Sequence, residues 1–483
     1  MGTIEQANET ALPSEINKSI SCIKKYIITG DVDQAEKTCQ KLLGKYPHAS
    51  ESIKNNFAAI CIDCSGSPET AKKGIKICEK LIESNKASSI SKAQIRYNLA
   101  NGYFRLIDQN FKDSKTYFSA TTHEYIKKAI NNFQKSYILQ PSPNIATNLA
   151  NLYDAIGRPL DAIIWYNKAL SLDPYFGMAL GNKAIAMNTL SPFSKNVGSY
   201  KAYAYKLLDE ALKYSESIDR QSDNAVHFFS SYKEKLSRQF SASNFDPQKR
   251  ANSETSKEIS PYTQFCLDND LYLSLHTFGE RSEESIGDTV SFGPMKEIGT
   301  EFIEEIFFRL DEIKESYATG RYLLWLSQQE RLELDEVSAQ TNFLGTATYE
   351  DQNLHTGLLK TAYSRAFSSL DKIANIINYY LGLEISEEDI NYRKIWGNSR
   401  EYYHPKIRKA HYHLYGLYSI LMELGQQPSV FRNHIEHRYY KLYTPPKHPT
   451  SQDLAKDTIN ALHTIKFAII YLLLFLSSEE KRQ

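Results

Sequence analysis

No excess of charge marks this chain. Over 483 residues, 57 Lys and Arg balance 57 Asp and Glu, so no whole-molecule field draws it to nucleic acid or to a lipid surface. Cysteine is scarce. The six thiols form no disulfide framework, and Cys22, Cys39, Cys61 and Cys78 fall at apolar helical positions where they act as small hydrophobes. Cys61-x-x-Cys64 has metal or redox spacing, yet no second pair follows it, and zinc asks for more ligands than two. Neither G-x-x-x-x-G-K-[ST] nor G-x-G-x-x-G occurs, which removes the phosphate-loop and dinucleotide-binding enzymes. No Asp/Glu/His cluster has metal-ligand spacing, so no metal and no other cofactor is expected. The opening MGTIEQANET has no signal-peptide core and no Ser or Thr at position six, so the myristoylation pattern fails. The apolar run Ala468–Leu476 spans nine residues, short of the roughly 20 that cross a bilayer. A buried core helix, no membrane contact and a cytoplasmic location are expected.

Helical periodicity is what the chain does have, and no segment sustains strict alternation. The length suits two or three domains. Residues 16–190 repeat a pattern whose best copy is Pro143–Tyr175, with Leu149, Ala150, Tyr153, Gly157, Ala162, Tyr166, Ala169 and Pro174 at the small and large positions of a helix–turn–helix unit. Small residues let paired helices approach, aromatics fill the gap, and Pro174 ends the second helix. Three weaker copies share the frame: Tyr26, Gly30, Ala35, Cys39, Pro47; then Ala58, Ala59, Gly66, Ala71, Ile75; then Leu99, Ala100, Tyr103, an insertion near Asp108–His123, and Ala129, Phe133, Pro141. A further pair spans Met178–Leu190 and Ser199–Tyr214. The pattern resembles the tetratricopeptide repeat (TPR). That resemblance implies a solenoid over 16–218 with a groove for a peptide or protein partner, although a self-association scaffold with an empty groove fits the same pattern.

Residues 219–260 change character: a polar helix around Asn224–Arg238 leads into a Ser-, Lys-, Asn- and Glu-rich linker. A second domain, 261–478, follows. Thr300–Gln328 places Phe302, Ile303, Ile306, Phe307, Leu310, Ile313 and Tyr317 at helical spacing. Leu358–Leu383 puts Ala362, Ala366, Leu370, Ile373 and Ile377 on one face and ends at Gly382. Lys406–Leu424 is a third helix, stopped by Gly425; Pro428 opens a fourth, and Leu454–Leu476 supplies the last. The expected fold is all-α, repeats followed by a helical bundle.

Chemistry concentrates in Pro428–Tyr443, PSVFRNHIEHRYYKLY. Ser429 is the expected N-cap, which places Arg432 in the first turn, where free N–H groups and the helix dipole favour an anion. Asn433, His437 and Lys441 are spaced i, i+4, i+8 and share a face. From Asn391 to Pro449 ten Lys/Arg face three acids, and six of the twelve His lie there. A basic, His-rich field in a neutral chain suits a polyanion; a solvated basic face is the plainer alternative. Arg432 and Glu436, at i and i+4, also fit a surface ion pair of about 0.3–0.5 kcal/mol, and His437 an interface histidine.

Arg432-Asn433-His434-Ile435-Glu436-His437 has the form R-N-x-x-x-H and precedes the last long helix. It resembles the motif of the HEPN superfamily, and Tyr262–Leu275, Arg321–Trp325, Arg365–Leu383 and Arg432–Tyr440 are similar to a TPR-linked prokaryotic branch of it. The resemblance covers roughly residues 255–478. It implies a helical bundle that dimerises and a metal-independent endoribonuclease of toxin, antiviral or RNA-processing systems. Carried over residue by residue, it makes His437 the acid/base, Arg432 the holder of the scissile phosphate and Asn433 the orienting amide. His434, Arg438, Tyr440 and Lys441 are secondary candidates for RNA contact. His411 and His413 are assigned to core or interface. The other open reading is a non-catalytic TPR/HEPN adaptor that dimerises and binds protein or nucleotide.

Overall fold

The computed structural model of the protein describes residues 14–64, 67–84, 88–194, 197–215, 218, 223–239, 259–275, 286–290, 300–330, 332–341, 351–397, 403–424, 441–444 and 449–480. Among these residues every regular element is a helix, beside a single bridge at Tyr443. The chain divides into two compact units, Met1–Leu152 with Trp165–Pro174, and Tyr153–Ile164 with Tyr175–Gln483. The division differs from a boundary at 218: the fifth helix pair belongs with the C-terminal residues.

The first unit is built from helix pairs: α1 (Ser14–Ile28), α2 (Val32–Lys45), α3 (Ser50–Asp63), α4 (Pro68–Glu83), α5 (Ser89–Ser114), α6 (Ala120–Leu139), and parts of α7 (Pro143–Ala155) and α8 (Pro159–Leu172). Consecutive helices pack as α1 with α2, α3 with α4 and α5 with α6, and each pair stacks on the next through α1 with α3 and α3 with α5. That is the TPR-like arrangement, and its starts are written in the sequence. Asp31, Ser67, Ser88 and Ser119 cap α2, α4, α5 and α6 by accepting from the backbone N–H three residues on. Ala35, Ala58, Ala71, Ala100 and Ala129 are wholly buried, which is what close helix approach demands. Gly74 is the extreme case: a Cβ there would stand 2.7 Å from the Ala58 carbonyl oxygen and 2.9 Å from Ile62. The expected insertion near Asp108–His123 prolongs α5 to 26 residues, ended by Lys115 in the left-handed region, followed by a buried turn through Tyr117 and Phe118.

Cysteine behaviour is mixed. Cys39, Cys61 and Cys78 are buried, and burial pushes their thiols up to about 11, 12 and 12, so they stay protonated and inert. Cys22, expected among them, is exposed; it lies on the solvent side of α1, whose buried face is Ile16, Ile23 and Ile27.

The second unit continues with α9 (Gly177–Leu190), α10 (Val197–Lys213), α11 (Asp223–Ser237), α12 (Pro261–Asp268), α13 (Thr300–Leu326), α14 (Leu332–Gln340), α15 (Leu354–Leu381), α16 (Pro405–Lys409), α17 (Tyr412–Leu424) and α18 (Ser451–Glu480). Helices α13 and α15 pack together, α17 packs on α18, and α18 also packs on α15 and α13, forming the bundle. The expected face of α15 is fully buried at Ala362, Ala366, Leu370, Ile373 and Ile377, and Gly382 ends the helix at φ 56°. On α13, Ile306, Leu310, Ile313 and Tyr317 are buried, but Phe307 and Phe308 are 40% and 62% exposed, so Phe307 leaves the expected core stripe.

One further expectation is corrected. Lys406–Leu424 is not one helix: α16 ends at Lys409, Ala410 is extended (φ −65°, ψ 163°), and α17 starts afresh at Tyr412. Ala468–Leu476 is buried throughout, but it lies within a 30-residue helix. That helix is long and apolar enough to cross a membrane, and 72% of its most apolar window is buried by the rest of the chain.

Candidate functional site

Of the sequence-derived site residues, Arg432, Asn433, His434, His437, Arg438 and Tyr440 lie outside the described residues, as does the expected N-cap Ser429. Lys441 is described and exposed. Both flanks of 425–440 are firmly held. On the C-terminal side Leu442 is buried, its carbonyl accepts from the Asp351 N–H at 2.7 Å, and the Tyr443 N–H donates to the Pro449 carbonyl at 2.9 Å. Thr450 and Asp453 then exchange hydrogen bonds of 2.8 to 3.2 Å that cap α18. The described part of the basic field is solvent-facing: Arg393, Lys394, Lys406, Arg408, Lys409 and Lys441 are all exposed.

On the N-terminal side the flank is α17, and its anchorage is electrostatic. Arg158 opens α8 with its side chain only 3% exposed. Its guanidinium donates to both Asp161 carboxylate oxygens at 2.9 Å, to Glu423 at 2.6 Å, and to the Ser419 hydroxyl at 3.4 Å. The Tyr471 hydroxyl on α18 donates to Asp161 at 2.6 Å, and the Tyr153 ring lies 4.8 Å from the guanidinium. Burial opposes the charge, yet Asp161 and then Glu423 hold Arg158 well above its ordinary value. The backbones meet here as well: a Cβ on Gly416 would fall 2.1 Å from the Gly157 carbonyl oxygen, so α17 seats on the α7–α8 turn only because glycine occupies that position. Glu423 stands two residues before Gly425, so this anchor fixes the point from which the R-N-x-x-x-H segment departs.

A second network was invisible in the sequence. Arg321, the first residue of RYLLW, donates to both Asp288 oxygens at 2.8 and 3.0 Å, to the Leu271 carbonyl at 2.9 Å and to the Tyr262 hydroxyl at 2.9 Å. The rings of Tyr262, Tyr272 and Tyr317 surround it at 5.0 to 5.9 Å. Lys466, wholly buried, reaches Asp270 at 2.8 Å, and His463 bonds the Asn269 carbonyl at 2.6 Å. Burial lowers the Lys466 ammonium despite Asp270. Asp270 takes the left-handed region at φ 49°, so α18 and α13 clamp one tight turn after α12. These groups hold the fold; they are paired with each other and lie away from 425–440 in sequence. Only their clustering in space joins them, and no spacing rule would have found them.

Residues 300–479 match the family model described as LA2681-like HEPN. The C-terminal domain is HEPN-like. Its matched span covers α13 to α18 and encloses Arg432, Asn433 and His437. A solved structure described as the crystal structure of MamA protein is similar at 19% identity, covering 42% of this chain and 94% of that chain, with a TM-score of 0.28. No curated protein matches the chain. The paired, stacked helices of the first unit and the family match over 300–479 give an architecture of TPR-like repeats followed by an HEPN-like bundle.

Proposed function

We propose that the chain is a metal-independent endoribonuclease, acting as a toxin or antiphage effector, with its repeats sensing or binding a partner. One observation carries this reading: the R-N-x-x-x-H sequence, Arg432 to His437, falls inside the HEPN-matched span. The anchored flanks and the exposed basic residues before it support it. His437 takes the proton of a ribose 2′-hydroxyl, whose oxygen attacks the adjacent phosphorus; a P–O2′ bond forms as P–O5′ breaks, and the leaving oxygen takes up a proton. Arg432 holds the phosphate and the charge growing on its non-bridging oxygens, and Asn433 orients the pair. Products are a 2′,3′-cyclic phosphate and a 5′-hydroxyl. A homodimer would place two copies of the motif in one cleft. His434, Arg438, Tyr440 and Lys441 contact the RNA strand.

End-group analysis of RNA incubated with purified protein tests this. Cyclic phosphate ends are expected with wild type and not with His437→Ala. Loss of self-association in Arg432 and His437 variants, with no cleavage by the wild type, would instead identify the non-catalytic adaptor.

A further inference from the structure

The even charge of the whole chain hides a local excess: residues 14–140 hold 20 Lys and Arg against 12 Asp and Glu. Much of that excess lies on one face of the first unit. On α4, Lys72, Lys76 and Lys80 are spaced i, i+4, i+8 and all exposed, opposite the buried Ala71, Gly74, Ile75 and Cys78. The helical rise sets their anchor points roughly 6 Å apart. Lys37 and Lys41 repeat the spacing on α2, and Lys127 and Lys135 stand on the outward side of α6. Two sets of contacts place the three helices side by side. Lys73 on α4 meets Glu36 on α2 at 2.8 Å. Glu79 on α4 accepts from the Tyr103 hydroxyl at 2.5 Å, and the Lys128 ammonium on α6 lies 5.4 Å from the same ring. The acids of these helices leave the middle of the face uncovered: Glu36, Glu79 and Glu124 are engaged with Lys73, Tyr103 and Lys128, and Asp33, Glu69 and Glu83 sit at helix ends. The seven lysines on α2, α4 and α6 that point outward make no hydrogen bond or ion pair among the described residues.

We propose that the outward face of α2, α4 and α6 binds the phosphate backbone of a nucleic-acid duplex. An array of unpaired ammoniums gains most from a polyanion, because each phosphate it neutralises releases condensed counterions. A protein partner fits the face poorly. Protein interfaces are depleted in Lys and need apolar anchors, and among the described residues the exposed large apolar side chains of these helices are confined to Ile138 and Leu139, in the last turn of α6. An unpaired strand fits poorly as well, since its bases need exposed rings to stack on, and Tyr125 and Tyr137 pack against Tyr103 and Trp165. A duplex brings its phosphates with its bases already stacked. Lysines on phosphates carry no sequence information, so RNA and DNA duplexes of any sequence are bound alike. The face shares no residue with the R-N-x-x-x-H segment, and the proposal does not rest on the nuclease reading.

Fluorescence anisotropy of the full chain with labelled duplexes, across a salt series, tests the face. The probes are a DNA duplex and a 2′-O-methyl RNA duplex of one sequence; neither carries a free 2′-hydroxyl, so failure of the nuclease reading leaves the measurement intact. Both are expected to saturate the protein at low salt with affinities within about threefold of each other, and log K should fall linearly with log salt. Lys72→Gln, Lys76→Gln and Lys80→Gln together should weaken both duplexes at least about tenfold and reduce the salt slope by about two to three, roughly one for each phosphate contact removed. Lys18→Gln, Lys25→Gln and Lys54→Gln together remove the same charge from α1 and α3, and should weaken binding less than about threefold. All six lysines are exposed, so both variants should keep the wild-type thermal melt. Equal losses in the two variants, a single strand or polyglutamate competing as well as the duplex, or wild-type binding that is absent or insensitive to salt overturns the proposal. The wild-type competition and salt series remain decisive should either variant misfold.

Discussion

Among the described residues, 14–152 bury Asn, Ser and Thr but no Lys, Arg, Asp or Glu, whereas the second unit buries Arg158, Lys183, Arg321 and Lys466. The partners differ in reach as well. In the repeats, Arg96 meets Asn132, and Asn98 meets Asn55, across 36 and 43 residues. In the second unit Arg158 reaches Glu423 across 265 residues, Tyr471 reaches Asp161 across 310, and Lys466 reaches Asp270 across 196. A repeat array needs only neighbouring contacts, so small residues at a fixed period are enough. A bundle assembled from distant segments has no such period to rely on, and buried ion pairs hold its register.

Breaking the charged side of that contrast should cost most. Arg158→Met strands the Asp161 carboxylate, and about 3 kcal/mol should be lost in urea denaturation, the low end for a severed buried pair because Glu423 is half-exposed. Gly416→Ala should cost about 1–3 kcal/mol, since its Cβ would collide with the Gly157 carbonyl and overpacked backbone must move. Asp154→Asn sharpens the contrast in the opposite direction. Burial pushes the Asp154 carboxyl from 3.8 up to about 6, so the folded state holds a proton that the unfolded state releases between those values. Wild-type stability therefore falls as pH rises through that window. The asparagine variant should be more stable by about 1–2 kcal/mol above pH 6, and indistinguishable below pH 4. The smallest effect belongs to the repeats: the Lys73–Glu36 pair is half-exposed, and Glu36→Gln should shift stability by no more than about 0.5 kcal/mol.

The same contrast explains what could be read from the sequence. Alanine spacing announced the helix pairs, because that signal is local. The faces of α13 and α15 were legible from periodicity, except at Phe307, whose exposure depends on which helices flank it. The break between Lys409 and Tyr412 was not legible, since RKAHYH contains neither Gly nor Pro; α17 is fixed instead by Gly416 against Gly157 and by Glu423 on Arg158. The R-N-x-x-x-H segment was legible only as a motif, and its residues from 425 to 440 lie outside the described structure.

The most direct measurement compares an RNA strand with the same strand carrying a single 2′-deoxy nucleotide at the cleavage position, in EDTA, using wild type and His437→Ala. Wild type should cut the all-ribose strand and spare the substituted position, and His437→Ala should cut about 10²–10⁴-fold more slowly, as loss of a general acid/base does. Cleavage at the deoxy position, or undiminished cleavage by His437→Ala, would contradict the account.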